Sequence, residues 1–216
     1  LYSSSLIKKV PEGGPLEEGL QIVIDETIRC RKIIQELLDF SKGRDPKKEL
    51  TNINDIINKA LKILENEFHI NRVNLHTDLT DDMVDIMADG NQMEQVFVNL
   101  LINAVQAVPE GGTVQVNSWL DESKSSIKIE VKDNGPGIGK KERDKIFEPF
   151  FSTKSKGTGL GLAVTYGIIR NHHGDISVKS RPGEGTQFLI RIPVKQDDNS
   201  NLTTLQERKN YEDSHR

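Results

Sequence analysis

From Leu16 to Ser41 the apolar and small positions fall at Leu16, Leu20, Val23, Thr27, Cys30, Ile34, Leu37 and Ser41, in alternating steps of four and three. That spacing predicts one long helix with a heptad seam, which Ile24, Ile28, Ile33 and Leu38 widen to a bundle-facing stripe and which Gly43 and Pro46 end. Such a helix either packs on its own domain or forms part of a dimerising hairpin. Before it, Leu6, Ile7 and Val10 close an earlier apolar segment, and Pro11-Glu12-Gly13-Gly14-Pro15 forces a turn. Ile53, Ile56, Ile57, Ala60, Leu61 and Leu64 predict an amphipathic helix over 52–67, and residues 72–75 and 83–87 read as short strands. Asp89 and Gln92 are spaced as a capping box for a helix through Val108, with Val96, Leu100, Val105 and Val108 as its buried stripe.

Beyond that helix the period changes from helical to alternating. Val114 and Val116, then Ile127, Ile129 and Val131, predict an antiparallel hairpin with its turn at 121–126; Trp119 falls out of phase and is expected to pack at an edge or in the core. A helix over 160–170 and strands over 175–180 and 186–194 follow. Residues 195–216 are polar and are expected to be a flexible tail.

Composition narrows the class. The 216 residues carry a net charge of −4, with 29% charged and 5% aromatic side chains, so no basic field invites a nucleic-acid partner. The single cysteine, Cys30, leaves no internal disulfide framework and fits a reducing compartment; its place on the seam makes it a packing residue. No apolar run reaches the ~20 residues that span a bilayer, so no membrane contact by this stretch is expected. The chain opens on Leu rather than Met, and we expect it to be part of a longer polypeptide. The acidic residues Asp78, Asp81, Asp82 and Asp85 lack the glycine and glutamate placement of a calcium loop. His172-His173 has no converging third ligand, which argues against zinc.

Candidate chemistry concentrates between Asp133 and Leu162. Gly135-Pro136-Gly137-Ile138-Gly139 and Gly157-Thr158-Gly159-Leu160-Gly161 are two glycine clusters, and the second opens into the apolar run of a helix. Glycines let backbone N–H groups approach an anion, and a helix start adds free N–H groups and a positive dipole end. A polyphosphate ligand is the reading that follows. On the helix before them, Gln95, Asn99, Asn103 and Gln106 share a face, and aligned amide oxygens there can ligate a hard cation such as Mg²⁺. Ile146-Phe147-Glu148-Pro149-Phe150-Phe151-Ser152-Thr153-Lys154 suggests a lid, with Lys154 and Lys156 able to neutralise phosphate.

Over about residues 16–194 these pieces, in this order, resemble the catalytic ATP-binding domain of sensor histidine kinases, in the wider family that includes gyrase and MutL. The matching boxes are Asn99–Ala104, Asp133–Gly139, Phe147–Phe151, Gly157–Leu162 and Gly183-Glu184-Gly185-Thr186. The resemblance implies a two-layer α/β sandwich of the Bergerat type over 46–194, preceded over 1–45 by a partial antiparallel helical hairpin that dimerises. Leu37-Leu38-Asp39-Phe40-Ser41-Lys42 resembles the close of its second helix and Tyr2 to Lys9 the tail of its first. His69, His76, His172, His173 and His215 all lack the context of the family's phosphate-accepting histidine, so that residue is missing here.

By resemblance the nucleotide contacts are Asn99, Asn103, Asp133, Gly135, Gly137, Ile138, Lys154, Gly157, Thr158, Gly159, Leu160, Gly161, Leu162 and Thr186, with Asn103 the Mg²⁺ ligand, Asn99 its support and Asp133 the acceptor of the adenine amine. The implied activity is transfer of the γ-phosphoryl of Mg-ATP to a histidine, for relay to an aspartate on a response-regulator receiver domain. The expected setting is cytoplasmic, with homodimerisation through the N-terminal helices. In the family's ATPase branches the position of Asn99 is usually a water-activating Glu; an amide cannot act as a general base, so hydrolysis should be poor. An ATPase clamp of the gyrase or MutL type and a non-catalytic nucleotide-binding dimerisation module are the alternatives. The Pro-Glu-Gly turn and Asn-Ala-Val-Gln-Ala most resemble the nitrogen-regulation class.

Overall fold

The computed structural model describes Val10 and residues 13–41, 46–154 and 157–195. The chain divides into two compact units, one of residues 1–45 with 144–164 and the other of residues 46–143 with 165–216. The expected helix at Tyr2–Lys9 and residues 196–216 of the expected tail lie outside the described residues.

In the first unit the heptad seam folds as expected into one helix, α1 (Pro15–Ser41). Gly13, at φ +76°, turns the chain into it, and Gly14 O accepts the N–H groups of Glu17 and Glu18. Glu17 and Glu18 place negative charge in the first turn, where the helix dipole favours it. Leu16, Ile22, Val23, Ile28 and Ile34 are each more than half exposed. Of the stripe predicted from spacing, Leu16, Val23, Ile28 and Ile34 are therefore uncovered, while Leu20 and Ile24 are half-buried.

The second unit is an α/β sandwich. Its chain order is β1 (Glu49–Thr51), α2 (Ile53–Ile63), α3 (Glu65–Ile70), β2 (Asn74–Leu79), β3 (Ile86–Ala88), α4 (Gly90–Ala107), β4 (Thr113–Leu120), β5 (Ser126–Asp133), α5 (Lys140–Arg143), the last turns of α6 (Gly161–Asn171), β6 (Asp175–Ser180) and β7 (Thr186–Pro193). Five strands form a mixed sheet in the order β2-β4-β5-β7-β6, with β2 parallel to β4 and the other pairs antiparallel. α4 packs on β4 and β5, and α2 packs on α4. Strand alternation puts Val114, Val116, Ile127, Ile129, Val131, Ile190 and Ile192 on the buried face, and Met93, Val96, Phe97, Leu100 and Leu101 of α4 are buried with them. Full burial of each large apolar side chain contributes about 1.5–3 kcal/mol. Trp119 shares the opposite face with Gln115 and Asn117, half-buried and across from Lys128, which is why it broke the apolar phase.

Three expectations shift. The helix expected over 52–67 breaks at Leu64 (φ −98°, ψ 5°), whose N–H reaches both Ala60 O and Leu61 O. Leu64 and Phe68 are both buried, so apolar spacing continues through the break and hides it. The strand expected at 72–75 begins at Asn74, because Arg72 has φ +51° and the N–H of Val73 is taken by Phe68 O. The strand expected at 83–87 is the shorter β3, and it pairs with β1, which no periodicity announced.

Candidate functional site

In the second unit, α4 is launched by Asp89, whose Oδ1 accepts the N–H groups of Asn91 and Gln92 at 3.1 Å each. Asp89 Oδ2 also accepts the N–H of Lys47 at 2.9 Å. One carboxylate thus serves both as helix cap and as anchor for the entering chain. Val96, Leu100 and Val105 turn to the core, as expected, which leaves Gln95, Asn99 and Asn103 on a flank where all three are half-buried rather than solvated. Asn99 Nδ2 lies 3.5 Å from Thr165 Oγ1 on α6, at the long limit of a hydrogen bond, and Thr165 is fully buried.

α4 ends beside the first glycine loop. A Cβ on Gly135 would lie 2.9 Å from Ala107 O, so only glycine lets the loop reach the last turn below Asn103. Asp133, the final residue of β5, is 5% exposed, and its Oδ1 accepts the N–H groups of Gly135 at 2.9 Å and Thr186 at 3.2 Å. A buried carboxylate is held in place this way by donors that do not titrate. Asn134 Oδ1 takes the N–H of Thr113 at 2.8 Å and ties the same loop to β4. Gly137 (φ +71°) and Gly185 (φ +78°) face the carbonyls of Arg181 and Asp133, each 2.0 Å from where a Cβ would stand. Asp133, Gly135, Gly137, Ile138 and Thr186 are thereby one interlocked cluster, with Asn99 and Asn103 on the helix that abuts it.

The first unit carries the remaining predicted residues. Phe150, at φ +66°, donates its N–H to Gly159 O at 3.0 Å, and a Cβ on Gly159 (φ +71°) would lie 2.4 Å from the Phe150 carbonyl carbon. The aromatic segment and the second glycine loop therefore lie backbone against backbone. Gly157 donates to Lys154 O at 3.1 Å, and a Cβ on Gly157 would lie 2.2 Å from Ser152 Oγ, so Gly157 lies close against Ser152 and Lys154, with Lys154 exposed. Lys156 is outside the described residues. Thr158 Oγ1 approaches the N–H of Leu160 at 3.4 Å, Leu160 is fully buried, and Gly161 and Leu162 open α6. The helix starts one residue later than expected.

Two buried polar residues escaped the sequence reading as site components. Ser180 and His172 each hold two segments together through backbone groups. His172 is fully buried at the end of α6; its Nε2 lies 3.0 Å from the N–H of Asp89, and its Nδ1 lies 2.8 Å from Ile168 O. An N–H can only donate, so Nε2 is the bare nitrogen and Nδ1 bears the proton. Burial holds this imidazole below its ordinary range; Lys48 and His173 act in the same sense, while the Ile168 carbonyl and Asp89 oppose. Neither residue carried a signal beyond being a polar side chain at the end of a predicted element.

Among the described residues no group of three His, Cys, Asp or Glu side chains could hold a metal by itself. A cation here would have to draw ligands from a polyphosphate, which suits Mg²⁺ with one protein amide and retained waters. The half-buried amide of Asn103 fits that role.

Sequence and fold comparisons agree on what this arrangement is. Residues 88–196, half of the chain, match the family described as histidine kinase-, DNA gyrase B-, and HSP90-like ATPase. The chain is 41% identical over 191 residues to sporulation kinase A of Bacillus subtilis (strain 168), covering 88% of this chain and 31% of that protein. The catalytic domain of histidine kinase ThkA in a nucleotide-free form superposes with a TM-score of 0.63 at 30% identity, over 68% of this chain and 96% of that one. ThkA in complex with the response regulator protein TrrA superposes with a TM-score of 0.72 at 26% identity, over 90% of this chain and 57% of that one. The chain belongs to the histidine kinase-, DNA gyrase B- and HSP90-like ATPase family, and within it to the sensor histidine kinases. It spans about a third of the length of the curated relative it matches.

Proposed function

We propose that this chain is the ATP-binding catalytic region of a sensor histidine kinase, moving the γ-phosphoryl of Mg-ATP to a histidine from which it passes to a response-regulator aspartate. The observation that carries the reading is Asp133, a buried carboxylate at a strand end, steadied by two backbone N–H groups and floored by glycine. That group accepts the adenine amine. Gly135, Gly137, Ile138 and Thr186 frame the base; Lys154 and the N–H groups of Gly157 to Leu162 meet the phosphates; Asn103, supported by Asn99, holds Mg²⁺. When bound, the ion neutralises charge on the phosphates. The protein's part is to position the nucleotide, stabilise charge with backbone N–H groups and leave water unactivated.

That last point separates a phosphotransferase from a hydrolase. Asn99 offers an amide where water activation requires a base, and its neighbour Thr165 is a hydroxyl. No relative named above is a gyrase or MutL protein, and nothing favours the clamp reading over the kinase. The motifs of the turn and the Asn helix favour the nitrogen-regulation class. The domain division proposed is residues 1–45 as a partial dimerisation hairpin, 46–194 as the catalytic domain and 195–216 as a tail. The exposed stripe of α1 supports a homodimer, and the ThkA–TrrA complex supports a response regulator as partner; the receiver domain as the point of contact and a cytoplasmic setting are part of the same proposal.

The test is transfer of labelled γ-phosphate from Mg-ATP to a separately supplied dimerisation domain that bears the acceptor histidine. Acid-labile label on that domain, lost in Asn103→Ala, is the expected result. Free phosphate accumulating without label would support an ATPase instead, and binding without either product would leave a nucleotide-binding module.

A further inference from the structure

β6 ends on a serine that the nucleotide boxes do not include. Ser180 is 8% exposed, and its Oγ accepts the N–H of Ile138 at 2.8 Å, donates to Gly185 O at 2.7 Å and lies 3.1 Å from Thr186 Oγ1. A hydroxyl has one proton and two lone pairs. With the proton on Gly185 O and one lone pair on Ile138, the remaining lone pair receives the Thr186 hydroxyl proton. All three capacities are used inside the fold. The Ser180 carbonyl in turn accepts from Arg143 Nη1 at 3.2 Å.

These bonds join two loops that also meet through their backbones and through the Asp133 carboxylate. Gly183 donates to Pro136 O at 2.7 Å, and Gly137 and Gly185 each leave no room for a side chain against the opposite loop. Between these contacts stands Asp133, one of whose N–H donors, Thr186, follows Gly185 directly. Ser180 therefore fixes the loop of Ile138 relative to the residue that aims the Asp133 carboxylate.

We propose that Ser180 is a positioning residue for base recognition, sharpening the choice of adenine over guanine by holding the turn at Gly185-Thr186 against the loop of Gly137-Ile138. The inference rests on the reading of Asp133 as the adenine acceptor. Adenine presents an amine at the position where guanine presents a carbonyl oxygen, so a fixed carboxylate attracts one and repels the other. A carboxylate free to turn or to admit water discriminates less.

The experiment measures equilibrium affinities of the full chain for Mg-ATP and Mg-GTP, in wild type, Ser180→Ala, Ser180→Thr and Asp133→Asn, with a melting temperature for each. Removing one buried hydroxyl should weaken ATP binding by about tenfold and leave GTP binding nearly unchanged, so the selectivity ratio falls by about the same factor. Ser180→Thr keeps the hydroxyl and should keep the ratio. If the alanine variant melts below the assay temperature, Ser180→Cys, close in size and a weak hydrogen bonder, makes the same comparison. A lower melting temperature with a wild-type ratio would overturn the proposal and leave Ser180 a stabilising residue. If wild type shows no preference, or Asp133→Asn keeps it, the reading of Asp133 fails instead, and the proposal falls with it.

Discussion

Gly137 stands at φ +71° with the Arg181 carbonyl 2.0 Å from the place of a Cβ. A methyl there meets backbone rather than a yielding side chain, and the left-handed conformation adds its own cost. Gly137→Ala should destabilise the protein by about 3 kcal/mol and lower its urea midpoint while leaving the slope unchanged. His172 provides the pH dependence at this scale. Its folded-state pKa lies below the ordinary 6.5, chiefly through burial, so the native state binds fewer protons than the unfolded chain in that range. The stability of the neutral imidazole is present above pH 6.5 and declines as pH falls from there toward the lowered value. Urea midpoints at pH 8 and pH 5.5 should differ in wild type and converge in His172→Gln. Asp133 was legible as the end of an alternating strand, but its proposed role comes only from the resemblance of the surrounding boxes, because Asp-Asn-Gly alone reads as an ordinary turn. Ser180 and Thr165 were not legible, because each buried hydroxyl has a partner far away in sequence, Ile138 at 42 residues from Ser180 and Asn99 at 66 from Thr165.

Elements with a strong period and a cap were visible in the chain. α4 has both, and its limits fall within a residue of those expected from Asp89 and Val108. The β4–β5 hairpin likewise alternates, cleanly in β5 and up to Trp119 in β4, about a turn that Asp121 closes by accepting from Ser125 and Ser126. β2 lies at the sheet edge with nearly every side chain exposed, so no apolar alternation marked its extent. The pairing of β1 with β3 depends on contact between segments some forty residues apart, which no local pattern records. α1 supplies the prediction at this scale. Ile28 is 55% exposed on the stripe, and covering that stripe with a second copy removes it from water. Ile28→Glu should shift sedimentation from dimer to monomer without changing ATP affinity.

For the molecule as a whole, nucleotide should act as a stabiliser by mass action. Mg-ATP at about 100 times its dissociation constant adds ~2.7 kcal/mol to the folded state. A thermal scan should show a rise in the melting temperature that EDTA diminishes and that inorganic phosphate alone does not reproduce. The pairing of β5 with β7 sets a different property. Its register ends with Asp133 opposite Thr186, so residues 134–185 leave and return at one rung of the ladder. In polymer terms they are a loop tied at the neck. Doubling the length of such a loop costs only ~0.6 kcal/mol of closure entropy. Insertions in its exposed stretches, outside α6 and β6, should thus be inexpensive to the fold, and the length of the segment between the two glycine clusters is left for chemistry, rather than stability, to set.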